Sequence, residues 1–418
     1  MMGHRLAVIF LLCSCLCMLA NVTVTDVSVK PRWPWNGLVD ITYSIECDET
    51  DEKGQPKDVY VTFTGVDNVR NQKITLRTLT GKGAKAAVRH GGPYTVTWDA
   101  GKDCPNMDSA AFSVRIDALA GFGPYMVVDL SGGPNASNYP VRYSSQPPNL
   151  DDDTCRTTEL WLRQIPAGKF IMGSPSNEVG RWNNMDMAQH EVTITQMYYI
   201  GVFECTQKQW ELVMGNNPSD YLGDCRPVVR VSYEMIRGTE TQAGAGWPAY
   251  DHAVDASSFM GKLQERTGLT FDLPTEAQWE YACRASTTTA LYSGKNLTNP
   301  DSRDSALDEI ARYQFNNSDG KGGYSEHTKV GSYLPNAWEL YDMVGNVIEW
   351  SLDWWGASTS SGAAETDPIG SKTGEWRVIR GGHWYDLSRH CRSASRGYFG
   401  PQTLSSHCGF RIVNLPLN

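Results

Sequence analysis

The chain has 418 residues, more than one compact domain usually holds, and 40% of them are hydrophobic, enough to build sizeable cores. Its formal charge of −10, without a basic run, argues against nucleic acid and anionic membrane surfaces as partners. Abundant glycine (39), tryptophan (14) and tyrosine (19) favour a loop-rich fold tied by large aromatics over a helical bundle.

At the N-terminus, His4 and Arg5 form a short basic start. The apolar run Leu6 to Ala20 is too short to span a bilayer comfortably. Residues 1–20 therefore read as an export signal cleaved after Ala20. That places the chain in the periplasm, at the cell surface or outside the cell. No later segment is apolar enough for a transmembrane helix. Export in turn makes Cys47, Cys104, Cys155, Cys205, Cys225, Cys283, Cys391 and Cys408 candidates for disulfides of undetermined pairing. Cys47 and Cys104 are the natural pair within the first domain. The absence of any Cys-x-x-Cys leaves zinc-ribbon and thioredoxin-like chemistry unsupported.

Residues 21–124 predict an immunoglobulin-like β-sandwich. Val39, Ile41, Tyr43 and Ile45 alternate with Asp40, Thr42 and Ser44. The same period of two recurs at Val59-Val61-Phe63, Tyr94-Val96-Trp98 and Phe112-Val114-Ile116. Trp33 and Trp35 are expected to pack in the core or between domains. A linker is expected over residues 125–157, with the boundary near 150, because Ser131–Pro140 and Ser144–Pro148 are rich in turn residues. Residues 158–418 then form the second domain. Thr206-Gln-Lys-Gln209 and Thr275-Glu-Ala-Gln278 are capping boxes that start helices, the first ending at Gly215. A third helix is expected over 251–267, closing at Gly268. Beyond 284 only short strands such as Arg377–Arg380 are expected. Glu276 and Glu280 share a helix and are expected to form salt bridges.

Asp342-Met-Val-Gly-Asn-Val-Ile-Glu349 can offer oxygens to a hard cation. Asp342 and Glu349 give carboxylates, and Gly345 and Val347 give carbonyls. The alternative is a loop buried by Trp350, with Glu349 bonded to backbone amides. No Gly-x-Ser-x-Gly elbow, phosphate loop or dinucleotide fingerprint occurs.

Several blocks fall in a fixed order: Ile165–Ser174, His190-Glu-Val, Glu204-Cys-Thr206, Arg226-Pro-Val228, Leu273–Tyr281, Leu340–Trp350, Arg377–Trp384, Cys391–Arg396 and Gly409-Phe-Arg411. Over residues 158–418 they resemble the formylglycine-generating enzyme (sulfatase-modifying factor) superfamily. The resemblance implies a divergent C-type-lectin-like fold, α+β overall with the sandwich. It also implies calcium at Asp342, Gly345, Val347 and Glu349. A second calcium site would draw on Asn316 or Asn317 and Tyr324, but Gly322 stands where a carboxylate belongs and Asp319 is out of register.

The family's enzymes bind copper(I) through two thiolates spaced Cys-x4-Cys, which suits a soft ion. Here Asp386 takes the first position and Cys391 the second. His383 and His390 are the nearby imidazoles. Cys391 is otherwise a buried thiol or a partner of Cys283 or Cys408. Two readings follow. One is a non-catalytic, calcium-stabilised lectin-like module that binds a protein, peptide or glycan. The other is an oxidoreductase that converts a peptide cysteine to formylglycine, with Cys391 as its catalytic metal ligand and copper required only in that case.

Overall fold

The structure is a computed structural model. It describes residues 22–50, 56–68, 72–76, 78–81, 87–104, 112–121, 123–182, 185–238, 254–318, 325–356, 362–371 and 373–414. The expected export signal, Asp319, Gly322 and Tyr324 lie outside them. The chain divides into two compact units, one ending at Phe122 and the other starting at Gly123.

In the first unit the strands are β1 (Val22–Pro31), β2 (Leu38–Cys47), β3 (Val59–Asp67), β4 (Gln72–Thr75), β5 (Leu79–Gly81), β6 (Gly91–Asp99) and β7 (Phe112–Ala120). A single turn of helix, α1 (Ala100–Asp103), follows β6. Two antiparallel sheets form, in orders β1-β2-β6-β5 and β4-β3-β7. Alternation decides which side chains face inward. Val39, Ile41, Tyr43 and Ile45 of β2 and Val59, Val61 and Phe63 of β3 are buried in one shared core. Tyr43 and Phe63, on different sheets, meet edge to face at 5.5 Å. Trp33 does not join this core. It is 91% exposed, because the Arg32–Gly37 turn carries it beyond the end of β1.

The second unit contains β8 (Tyr125–Asp129), β9 (Val141–Ser144), β10 (Glu159–Ile165), β11 (Gly168–Met172), β12 (His190–Ile194) and β13 (Tyr198–Gly201). The helices α2 (Gln207–Met214), α3 (Tyr233–Arg237) and α4 (Phe259–Thr267) follow, then β14 (Phe271–Asp272), α5 (Glu276–Arg284) and α6 (Ser305–Asp308). Last come β15 (Ile348–Trp354), β16 (Glu365–Thr366), β17 (Arg377–Arg380), β18 (Arg396–Phe399), β19 (Cys408–Gly409) and β20 (Val413–Asn414). The sheets run β14-β20-β13-β10-β8-β9, β11-β12-β16 and β18-β17-β15-β19.

The expected linker over 125–157 is corrected by β8 and β9. β8 pairs with β10, and β9 with β8. Met126, Val128 and Leu130 are buried in the core of the second unit, so the division falls at residue 122 rather than near 150. The turn-rich Ser131–Pro140 stretch connects two strands of one sheet. Its turns close through Gly133 N–H to the Leu130 carbonyl and Ala136 N–H to the Gly133 carbonyl.

Both capping boxes form. Thr206 accepts from the Gln209 amide while Gln209 reaches back, and Thr275 and Gln278 do the same. Each cap is worth about 1 kcal/mol. Gly215 and Gly268 end α2 and α4 in the left-handed conformation. α4 starts at Phe259 rather than 251. Ser258 donates to the Asp255 carbonyl, which turns the chain, and accepts from Gly261 N–H, which caps the helix. Trp210 then stacks on Phe259 at 5.3 Å, locking α2 to α4.

Candidate functional site

Asp342 and Gly345 lie in the loop before β15, and Glu349 lies on that strand. Asp342, Gly345 and Asn346 all take positive φ, so the loop turns tightly. A Cβ at Gly345 would strike the Arg312 carbonyl at 2.4 Å, so only glycine fits there. Asp342 is buried. Its Oδ2 accepts from Gly331 N–H at 2.6 Å, and its Oδ1 is without a partner. Among the described residues, side chains rather than backbone amides hold Glu349. Arg411 grips both of its oxygens, and Trp279 Nε1 donates to Oε2 at 2.8 Å.

A third buried carboxylate, Glu204, accepts from Asn346 Nδ2 at 2.6 Å and from Val347 N–H at 3.0 Å. Glu349 thus pairs with Arg411, while Glu204 and Asp342 lie near enough to act on its charge. Burial pushes Asp342 up to about 6. Burial, together with Asp342 and Glu349, raises Glu204 well above the usual range. Carboxyls raised by burial and by one another, with one oxygen unpaired, are what a hard cation relieves. Among the described residues, no three His, Cys, Asp or Glu side chains converge as a metal centre. The calcium site expected at Asp342, Gly345, Val347 and Glu349 would draw on two carboxylates, and Arg411 engages both oxygens of Glu349. Of the expected second site, Asn316 is spent on local bonds to Tyr313 and Ala311. Asn317 is buried with its Oδ1 unpaired.

A cleft of about 450 Å³ opens along β18, an edge strand of its sheet. Asp386, His383 and His390 line it, with Trp182 and Tyr398 contributing aromatic surface. A buried ion-pair network holds β17 and β18 in place. Arg396 binds Glu276 through two bonds of 2.5 and 2.7 Å, and Arg380 reaches Glu280, which also accepts from Arg284 at 2.8 Å. Burial alone would raise Glu280, but Arg284 and Arg380 outweigh it and hold the carboxyl low.

Gly382, at positive φ, forms part of the cleft wall. The Cys391 sulfur lies 3.0 Å from where a Gly382 Cβ would sit, so the thiol sits directly behind that wall. Cys391 is buried, and burial and the nearby Asp386 push its thiol well above the usual range. It is therefore protonated, not a thiolate. One thiol and one carboxylate do not make a copper(I) site.

His383 Nδ1 accepts from Tyr385 N–H at 3.1 Å. Its Nε2 therefore carries the proton and faces Asp386 Oδ2 at 3.4 Å. With both nitrogens occupied, His383 is no general base in this arrangement.

The expected disulfides do not form. All eight cysteines of the described residues are free thiols. Cys283 points at the Met343 carbonyl, Cys408 at that of Gly409 and Cys205 at that of Thr206, each at 3.8 Å. Cys47 and Cys104 border the same core without being joined.

Sequence reading missed Trp182, whose loop has no periodicity, and the roles of Glu204, Arg396 and Arg411. Each of the last three lies in a recognisable block. Only the folded chain brings Arg411 to Glu349 and Glu204 to the Asp342 loop.

Compared with known proteins, residues 152–415 match the sulfatase-modifying factor enzyme 1-like domain. The chain is 36% identical over 175 residues to the formylglycine-generating enzyme of Thermomonospora curvata, covering 40% of this chain and 54% of that one. It is 35% identical over 281 residues to the mouse (Mus musculus) formylglycine-generating enzyme, covering 60% and 73%. Among solved structures, the Treponema denticola variable protein 1 aligns at a TM-score of 0.48 and 25% identity, covering 62% of this chain and 96% of that one. With the family's domain spanning more than half of its length, this chain is a member of the sulfatase-modifying factor enzyme 1-like family.

Proposed function

We propose that the chain is an exported, calcium-stabilised binding module whose cleft takes a protein, peptide or glycan ligand without oxidising it. One observation carries this reading. Asp386 lines the cleft, and Cys391 lies behind Gly382 as a protonated thiol. By the resemblance, Asp386 takes the place of the family's first thiolate. The unpaired Asp342 Oδ1 and the raised carboxyl of Glu204 support calcium at Asp342, Gly345, Val347 and Glu349. Calcium there would pin the loop that precedes β15 and take no part in chemistry. Export rests on the apolar N-terminal run. The order β1-β2-β6-β5 follows the A-B-E-D sheet of an immunoglobulin domain, which supports the immunoglobulin-like reading.

A second reading keeps the enzyme, a formylglycine-generating oxidoreductase with Cys391 as its metal ligand. It draws on the identity to formylglycine-generating enzymes and on Cys391 lying directly behind the cleft wall. The test incubates the purified full chain, copper(I) and oxygen with a Cys-x-Pro-x-Arg peptide. Mass spectrometry then follows conversion of the cysteine to the aldehyde. No conversion is expected. Turnover abolished by Cys391→Ser would establish the enzyme instead.

A further inference from the structure

Three aromatic rings meet at one end of the β18-β17-β15-β19 sheet. Trp355 follows β15, Trp376 precedes β17 and Tyr398 stands on β18. The Trp355 amide donates to the Trp376 carbonyl at 2.7 Å, which sets these two residues side by side. Tyr398 packs on both, its ring centroid 4.9 Å from that of Trp355 and 5.4 Å from that of Trp376. Trp376 is 44% exposed, Tyr398 is 39% exposed and Trp355 is half-buried. Large rings held at the surface forgo the burial that usually stabilises them, and a ligand that covers them regains it.

The geometry narrows what covers them. A cage for an ammonium keeps a gap between its rings, with the cation within about 6 Å of each centroid. Rings at 4.9 and 5.4 Å are packed on one another and leave no such gap. Trp355 already carries a cation, the Arg396 guanidinium, 4.3 Å from its ring centroid. A stable protein partner covers roughly 800 Å² on each side, whereas three part-exposed rings offer on the order of 250 Å². An anion finds no free charge here. Among the described residues the arginines of β17 and β18 are committed: Arg396 to Glu276, Arg380 to Glu280, and Arg377 between the rings of Tyr233 and Trp354.

The rims of the rings are polar. Among the described residues no hydrogen bond joins the Tyr398 hydroxyl or the Trp376 indole N–H to another group. The surface therefore suits a small ligand with a flat apolar face and uncharged hydroxyls around its edge. A hexopyranose has that form, with C–H bonds on its faces and hydroxyls at its rim.

We infer that Trp355, Trp376 and Tyr398 form a platform on which neutral hexose rings of a glycan stack. Of the three only Tyr398 lines the cleft, so the platform is a site in its own right beside it. It goes beyond the binding-module reading and holds whether or not the cleft is catalytic.

Isothermal titration calorimetry of the full chain with cellohexaose and mannohexaose tests it, with a hyaluronan hexasaccharide as the acidic comparison. At least one neutral sugar is expected to bind, about tenfold or more tighter than hyaluronan. Trp376→Ala and Tyr398→Ala should each weaken it by about tenfold or more, whereas Tyr398→Phe should keep most of the affinity because the ring remains. Thermal unfolding checks that the variants fold. On the unmutated chain, bound sugar should shield Trp376 from hydroxyl-radical oxidation mapped by mass spectrometry. Affinity unchanged in both alanine variants, or Trp376 left unshielded, would overturn the inference and put any sugar elsewhere on the binding module. No binding of either neutral sugar, or hyaluronan bound as tightly, would overturn it as well and leave the cleft its protein or peptide ligand.

Discussion

Arg411 holds Glu349 through both carboxylate oxygens, with Nη2 2.7 Å from Oε1 and Nε 2.9 Å from Oε2, in a core that excludes water from both side chains. The same guanidinium donates to the carbonyls of Gly201 and Tyr341. One side chain therefore ties the β13 end, the loop bearing Asp342 and strand β15 together. Removing one member of such a pair leaves an uncompensated buried charge, which costs about 3–5 kcal/mol. Arg411→Met should destabilise the protein by that amount in denaturant unfolding. Measured in chelator, the double variant Arg411→Met/Glu349→Leu should recover most of the loss, since a packed apolar pair replaces the charges. A single variant within about 1 kcal/mol of wild type would show that the pair does not organise the site.

The Asp342 loop should depend on calcium for its stability. Ligand at a hundredfold excess over its dissociation constant stabilises by about 3 kcal/mol. For a unit of this size that corresponds to roughly 5–10 °C in Tm. Chelation should lower the melting temperature of the wild type, and Asp342→Ala should remove the sensitivity by deleting the unpaired Oδ1. Glu349→Gln should do so as well, with an added loss from the broken Arg411 pair. If chelator leaves the wild-type melting curve unmoved, the calcium assignment fails.

Local signals in the sequence located local structure. Thr206 and Thr275 with their partner glutamines cap helices as their spacing requires, and alternation placed Val39 to Ile45 in the first core. Sites built from distant segments were legible only in part. Asp342 to Glu349 stand out as one short block, yet Glu204, 138 residues before Asp342, has no local pattern that marks it as their neighbour. The stretch from 125 to 157 misled for a related reason. Its glycines and prolines signal turns equally well in a linker and between two paired strands, and only pairing with β10 tells them apart. Cysteine count and export pointed to disulfides, whereas geometry aims each of several thiols at a nearby carbonyl.

Asp353 should make stability depend on pH. It is buried, and its Oδ2 accepts from Glu276 N–H at 2.7 Å at the start of α5. Burial and Glu276 raise its carboxyl from the ordinary 3.8 to about 7. The folded state therefore binds this proton more tightly than the unfolded chain does. The resulting stability is present below about pH 4 and is lost as pH rises towards 7. Asp353→Asn keeps the acceptor for Glu276 N–H and removes the titration. Relative to wild type, the variant should gain stability between pH 4 and 8, up to about 4 kcal/mol in total. Unfolding curves at pH 5, 6, 7 and 8 measure the difference, and a constant offset would contradict the expectation.

A cysteine placed at position 386 should confer copper(I) affinity. Cys391 lies behind Gly382, and Asp386 lies on the same cleft wall five residues earlier. Asp386→Cys recreates the Cys-x4-Cys spacing and removes the carboxylate that adds to burial in holding the Cys391 thiol up. Two thiols that share a soft ion lose their protons on binding, which offsets the burial that keeps Cys391 protonated. Competition against a chromogenic copper(I) chelator should show at least a hundredfold gain over wild type, about 2.7 kcal/mol. Asp386→Cys/Cys391→Ser should lose that gain, which would show that the pair, rather than the new thiol alone, holds the ion. Wild-type affinity already equal to that of the Asp386→Cys variant would mean that Cys391 and a cleft imidazole, His383 or His390, suffice. That outcome would move the protein back among the family's enzymes.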